Sequence, residues 1–219
     1  MAWPEVAARA ASLLVVPVGS TEQHGPHLPL STDTDVAVAL AVALARVDPR
    51  VLVAPAVPYG ASGEHDGFPG TLSIGQEALE LLLVELCRSA TATVVRVLLL
   101  NGHGGNLAPL SRAVATSVQE GRDVRSWSPN WRGDAHAGRT ETSVQLALDP
   151  RRVRNGLAAA GATAPLGELL PALRRDGVRK VSPNGILGDP AGADAEHGGL
   201  LLSAALAELR TVVDDWLAR

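Results

Sequence analysis

A chain of 219 residues with 46% apolar side chains can bury a sizeable core and falls in the size range of one domain, taken here as residues 1–219. With 19 Lys and Arg against 23 Asp and Glu, the formal net charge is −4 and the cations are scattered. No basic stripe of the kind that tracks a phosphate backbone exists, so no nucleic acid partner is expected.

The opening segment MAWPEVAARAASLLVVPVG lacks a basic n-region, and its apolar run is too short to cross a bilayer, so mature protein from residue 1 and no membrane partner are expected. Within it, Leu13–Val18 is a nearly unbroken Val-rich run, as in a strand covered on both faces of a parallel sheet, and it breaks at Gly19. Ala- and Leu-rich helical spacing follows over Asp35–Arg46. Val51–Val57 reads as a second strand before a Pro/Gly-rich loop, and Gly75–Ala90 as a second helix. That helix carries Cys87, a lone thiol that forms no intrachain disulfide and suits a reducing, cytoplasmic setting. A third strand, Val94–Leu100, runs into Asn101-Gly102-His103-Gly104-Gly105-Asn106 and a third helix, Leu107–Glu120. A weaker strand, Asp123–Trp127, leads through the loop Ser128–Gly138 to a helix over Thr140–Leu148. The stretch Asp149–Gly192 is rich in Pro and Gly, with one short helix near Gly167–Arg175, and is expected as a long excursion over the surface. A last helix spans Asp194–Leu217. Strand and helix alternate, which argues an α/β fold.

In open α/β sheets, ligands gather beyond the carboxyl ends of the strands, so the loops after the first three strands should face one crevice. They hold most of the histidines. The first carries Glu22 and His24, whose two-residue spacing points both side chains the same way in extended backbone, and Asp33 follows before the first helix. The third presents His103 between glycines, which let backbone and substrate approach closely. The later segment Asp134–Ser143 adds His136 and Glu141.

The segments GSTEQHGPHLPLSTDTD, EHDGFPGT, NGHGGN and DAHAGRTETS occur in this order, and together they resemble the successive signatures of the creatininase family. HAGRTETS, with the later TAPLGELLPALRR and SPNGILGDP, is most similar to a peptidase branch of that family. The resemblance implies a single-domain three-layer αβα fold with a mostly parallel sheet. It also implies a divalent metal centre, expected with two ions of Zn or Fe, or Mn, in which Glu22, His24, Asp33 and His103 are ligands and Asp33 bridges. Creatininase has a glutamate ligand two residues after its equivalent of His103, where this chain has Gly105, so Glu141 is the candidate to supply that carboxylate. Charge counting agrees: Glu22, Asp33, Glu141 and a bound hydroxide balance two divalent ions. Mixed His and carboxylate ligands without thiolate suit an open catalytic site rather than a closed structural zinc.

A metal of this kind acidifies water and polarises an amide carbonyl. The resemblance makes His136 the catalytic histidine that serves the departing nitrogen, with Glu141 beside it. For the peptidase branch, the implied substrate is a small modified peptide that loses its C-terminal Val-Tyr-derived dipeptide. Other family members take creatinine, further cyclic amides or formamides, and members assemble as homo-oligomers. His65, Gly104 and Arg139 are candidates for substrate contact, Arg139 by paired hydrogen bonds to a C-terminal carboxylate or, equally, as a cap on a solvated helix face. For His27 and His65 pocket lining and loop packing are both open, and His197 fits a capping role at the last helix. A phosphate loop at NGHGGN lacks GxGxxG spacing and a Walker lysine. A serine hydrolase through Ser20 or Ser62 lacks a G-x-S-x-G elbow, and HExxH is absent. A metal-binding scaffold without catalysis is the reading from outside enzymology.

Overall fold

A computed structural model describes residues 2–8 and 12–219. Its frame is a four-stranded, wholly parallel sheet in the order β2-β1-β3-β4, built from β1 (Leu13–Val18), β2 (Val51–Val53), β3 (Arg96–Asn101) and β4 (Asp123–Trp127). The eight α-helices among the described residues are α1 (Trp3–Ala7), α2 (Thr32–Val47), α3 (Gln76–Ala90), α4 (Leu107–Gln119), α5 (Arg139–Leu148), α6 (Leu166–Asp176), α7 (Val178–Val181) and α8 (Ala195–Leu217).

Strand alternation sorts the apolar residues onto two faces. Leu13, Val15, Leu98 and Leu100 pack with Val36, Leu40 and Leu44 of α2, Val144 of α5, and Leu209 and Trp216 of α8. Val16, Val18, Val97 and Leu99 pack on the other face with Leu79 and Leu83 of α3 and Leu110 of α4. The result is the expected three-layer αβα sandwich. Each fully buried Leu or Val in these layers contributes on the order of 1.5–3 kcal/mol relative to exposure. Cys87 lies in the second layer, fully buried and free. Among the described residues, no helix is long and apolar enough to cross a membrane.

The chain leaves β1 for α2 on one face and leaves β3 for α4 on the other. The carboxyl ends of these two adjacent strands therefore open a crevice between diverging loops, the arrangement in which α/β sheets bind ligands.

Several boundaries differ from expectation. The second strand stops at Val53, with Val57 adding only an isolated bridge to Val18, because Pro55 can donate no ladder hydrogen bond. The third strand begins at Arg96 because the Val94 N–H still closes the end of α3 onto Ala90. More consequential for chemistry, α2 begins at Thr32, so Asp33 occupies its first turn instead of the preceding loop. That turn is polar and invisible to apolar periodicity, while Ser31 Oγ donates to Asp35 at 2.9 Å and an acid there suits the helix dipole. The segment 149–192 is also more than a surface excursion: Ile186 is fully buried, Leu187 bridges His136, and α6 and α7 pack a small core of Leu173, Val178 and Leu187.

A candidate dinuclear metal centre

The crevice gathers its polar groups through a few close backbone approaches. A Cβ at Gly102 would overlap the backbone carbonyl of Asp33, so glycine lets the first turn of α2 rest directly on the end of β3. Asn101 and Asn106 then brace the loop: Asn101 Nδ2 donates to the His103 carbonyl at 2.7 Å, and Asn106 Nδ2 to that of Gly19 at 2.9 Å. At the start of α5, the Asp134 carboxylate accepts from the backbone N–H groups of Arg139 and Thr140, and Ala137 takes a left-handed φ of 53°. Ala137 N–H donates to Glu141 and so steers that carboxylate inward. The unusual backbone at Ala137 is of the kind that persists where surrounding structure over-determines it.

Two ligand groups result, joined through Asp33. His103 Nδ1 lies 3.4 Å from Asp33 Oδ2, and His103 Nε2 lies 3.2 Å from Glu22 Oε2. His24 Nε2 lies 3.1 Å from Asp33 Oδ1 and 3.8 Å from Glu141 Oε2. The sets Glu22–Asp33–His103 and His24–His136–Glu141 each place one ligand atom per residue within 4.8 Å of the others, as does Glu22–His65–His136. The two Asp33 oxygens thus face different histidines, the geometry of a bridging carboxylate.

Whether a divalent ion suits these residues can be judged from hydrogen bonding. Glu22 Oε1, Glu22 Oε2 and Asp33 Oδ2 are buried and accept no hydrogen bond, although imidazole nitrogens crowd them at 3.2–3.7 Å. Buried carboxylate oxygens normally find partners, and a cation between these atoms would satisfy them. The His24 ring is already oriented for ligation. Its Nδ1 faces the Glu22 backbone carbonyl at 3.2 Å, leaving Nε2 for the acids, the orienting contact usual behind a metal-bound imidazole. The residues fit a divalent metal.

Protonation agrees. Burial disfavours a charged His24, but Asp33, Glu141 and Glu22 outweigh it and raise its pKa to about 10. His103 is likewise raised against its burial, by Glu22 and Asp33 first, and Glu22 is held well below the carboxylate range, burial notwithstanding, by His103, His65 and His24. Without metal, protons on two imidazoles neutralise the acids. A metal must displace them, so its affinity rises with pH. Burial lifts Glu141 to about 7.

His136 differs. Burial, reinforced by His24 and His65, depresses its pKa well below the usual histidine value. The Gln23 amide donates to His65 Nδ1 at 2.8 Å and to the Gly185 carbonyl at 2.9 Å, which uses both of its hydrogens. His136 Nε2, only 2.9 Å from the Gln23 backbone carbonyl, is therefore the protonated nitrogen and Nδ1 carries the lone pair, 3.7 Å from Glu22 Oε1.

Asp33, His103, His136 and Glu141 line one side of a cavity of about 560 Å³, whereas Glu22 and His24 are fully buried and lie outside its lining. His65 and Gly104 line it too, and His65 Nε2 lies 3.3 Å from Glu22. Arg139 does not: its guanidinium flanks Gly192. His27 is packed in the loop, Nε2 2.9 Å from Thr142 Oγ1, and burial lowers its pKa to about 4. The cap of α8 is Asp194, which accepts the His197 backbone N–H at 2.8 Å. The His197 side chain thus has no capping role, because the short carboxylate just before the helix already takes the bond. Two residues not expected from the sequence join the site: Gln23, whose only signal is its place between Glu22 and His24, and Glu64, the residue before His65. The Glu64 carboxylate lies 3.4 Å from His103 Nε2, in space that a side chain at Gly105 would fill. A Cβ at Gly105 would overlap the Ala61 carbonyl and the His103 ring and come within 2.6 Å of Glu64 Oε1. Gly105→Ala is therefore expected to displace His103, costing about 1–3 kcal/mol of stability by overpacking and weakening metal uptake. Thermal melts beside calorimetric metal titration would register both, and wild-type values in each would contradict this geometry.

Comparison with known proteins agrees with the fold. The sequence profile of the family described as Creatininase, creatinine amidohydrolase, matches residues 1–213. A Mycolicibacterium smegmatis protein named mycofactocin precursor peptide peptidase is 54% identical over 193 residues, 85% of this chain and 78% of its own. A Mycobacterium tuberculosis protein of the same name is 49% identical over 215 residues, 93% of this chain and 85% of its own. A crystal structure of creatinine amidohydrolase (creatininase) superposes with a TM-score of 0.83 at 25% identity, covering 98% of this chain and 95% of that one.

Proposed function

Because this chain belongs to the creatininase family, we propose that it is the metal-dependent peptidase that trims the mycofactocin precursor peptide, hydrolysing an amide bond to release a C-terminal Val-Tyr-derived dipeptide. The observation that carries the reading is the 54% identity to a protein of that name, in a chain whose buried carboxylates and imidazoles suit a metal pair. We take residues 1–219 as one catalytic domain, working in the cytoplasm as a homo-oligomer. The buried lone Cys87 is compatible with a reducing compartment.

In this reading Glu22, Asp33 and His103 would hold one ion, and His24 and Glu141, with Asp33 beside His24, a second, with Zn, Fe or Mn all compatible with the donors. A metal bound there would supply Lewis acidity toward the amide carbonyl and acidify water. His136, which lines the cavity and is neutral at physiological pH with Nδ1 unprotonated, accepts a proton from the attacking water and delivers it to the departing amide nitrogen as the C–N bond breaks. The Gln23 carbonyl holds the tautomer this requires. Glu141, fixed by the Ala137 N–H, would stand beside His136 as the carboxylate ligand of the second ion. His65 and Gly104 border the substrate.

The test is to incubate metal-replete protein with precursor peptide, modified and unmodified, and to follow products by mass spectrometry with and without chelator, creatinine running in parallel. Loss of the C-terminal dipeptide that chelator abolishes is the expected result. Creatinine turnover with the peptide intact would move the substrate to the second reading, a creatinine amidohydrolase, which the family description favours.

A further inference from the structure

Of the carboxylates that line the cavity, Asp33 and Glu141 belong to the ligand groups and Glu64 to none of them. Among the described residues no Lys or Arg pairs with Glu64, and the charged partner it faces is His103, with Oε1 lying 3.4 Å from Nε2. The Glu64 side chain is 36% exposed, so water solvates its charge and no ion is needed to offset it, unlike that of the fully buried Glu22.

The loop after β2 and the loop after β3 are tied together by Asn106, whose side-chain carbonyl accepts the Ala61 N–H at 2.9 Å. That bond sets the Ala61 carbonyl 3.3 Å from His103 Nε2. A carbonyl can only accept, so in the neutral ring Nε2 carries the proton. Glu22 Oε2 lies 3.2 Å from the same nitrogen yet accepts no hydrogen bond, and so stays free for an ion. The lone pair is left on Nδ1, 3.4 Å from Asp33 Oδ2.

From this geometry we infer that Glu64 is a positioning residue of the metal centre, acting through His103 to hold it as an Nδ1 ligand and to strengthen its donation to the ion. The inference rests on the reading of Glu22, Asp33 and His103 as metal ligands. An imidazole that binds a cation through Nδ1 becomes more positive at its Nε2–H, so a carboxylate near that nitrogen stabilises the bound ring more than the free one. The Ala61 carbonyl fixes the direction of the ring, and Glu64 adds the negative charge that a neutral acceptor lacks. Gly105 leaves the room for it, since a Cβ there would come within 2.6 Å of Glu64 Oε1.

The test compares wild type with Glu64→Ala, Glu64→Gln and Asp66→Asn, the last removing an exposed carboxylate of the same loop that lies outside the cavity lining. Each is titrated with zinc against a competing chelator, with circular dichroism melts to confirm folding. Glu64→Ala should raise the zinc Kd about 10–100-fold, the range seen when the partner behind a metal-bound histidine is removed. Glu64→Gln, which keeps an oxygen acceptor without the charge, should fall between Glu64→Ala and wild type, and Asp66→Asn should match wild type. Nitrogen-15 shifts of the zinc-loaded wild type should show His103 bound through Nδ1 and protonated at Nε2. A wild-type Kd in Glu64→Ala, an equal loss in Asp66→Asn, or His103 bound through Nε2 would each overturn the role of Glu64 and leave the metal centre standing. A folded wild type with no affinity for zinc, iron or manganese would overturn the metal reading and this inference with it.

Discussion

Asp33→Ala should lose both metal and turnover, the largest effect expected of any single substitution in this chain. Asp33 Oδ1 faces His24 and Asp33 Oδ2 faces His103, so one carboxylate ties the two ligand groups together. Partners behind metal ligands typically account for about 10–100-fold in affinity, and a carboxylate shared by both groups should exceed that, with hydrolysis falling in step. The fold should survive, because the first turn of α2 is held independently by Ser31 and by the rest of a sixteen-residue helix. Asp33→Asn keeps the shape but removes the charge, and should bind metal almost as poorly. Elemental analysis after dialysis, alongside circular dichroism melts, separates metal loss from unfolding. Full activity with full metal content in a folded Asp33→Ala protein would remove the basis for the proposed mechanism.

The second large effect is expected at His136. If its free Nδ1 carries the proton, His136→Gln should lower kcat by about 10²–10⁴-fold while the protein keeps its metal. The position makes this informative, since His136 also lies within ligand distance of Glu22 and His65 on one side and of His24 and Glu141 on the other. Its ring centroid is 4.2 Å from that of His24 and 4.5 Å from that of His65. Retained metal with lost turnover would support proton transfer, whereas lost metal would reassign His136 as a ligand. Unchanged kcat would exclude both roles.

Much of the fold was legible in the chain itself. Short Val- and Leu-rich runs that lead into glycine-containing loops, alternating with Ala- and Leu-rich amphipathic stretches, pointed to an α/β fold on a parallel sheet because strands covered on both faces must be apolar throughout. Boundaries slipped where signals were polar or local, as at the first turn of α2, which carries Asp33 and no apolar residue before Val36. The segment 149–192 departs from expectation for a related reason. Its Pro and Gly content reads as loop, yet Leu187, Ile186 and α6 close the cavity through a few long-range contacts that no local pattern encodes.

By itself, then, the sequence determined the α/β class, the family, and the set of His and carboxylate side chains that end at one edge of the sheet. The class and the placement of the side chains follow from hydrophobic period, turn residues and loops placed after strands, and the family, with its three layers, from the resemblance of four ordered motifs. Only the tertiary structure decided how those side chains face one another: that Asp33 looks two ways, that Glu64 occupies the space beside Gly105, that Gln23 sets the tautomer of His136, and that Arg139 lies outside the cavity lining. Such relations depend on angstrom-scale packing, mostly between segments more than forty residues apart, where a shift of one side chain changes a ligand into a bystander, and residue spacing along the chain carries no record of it.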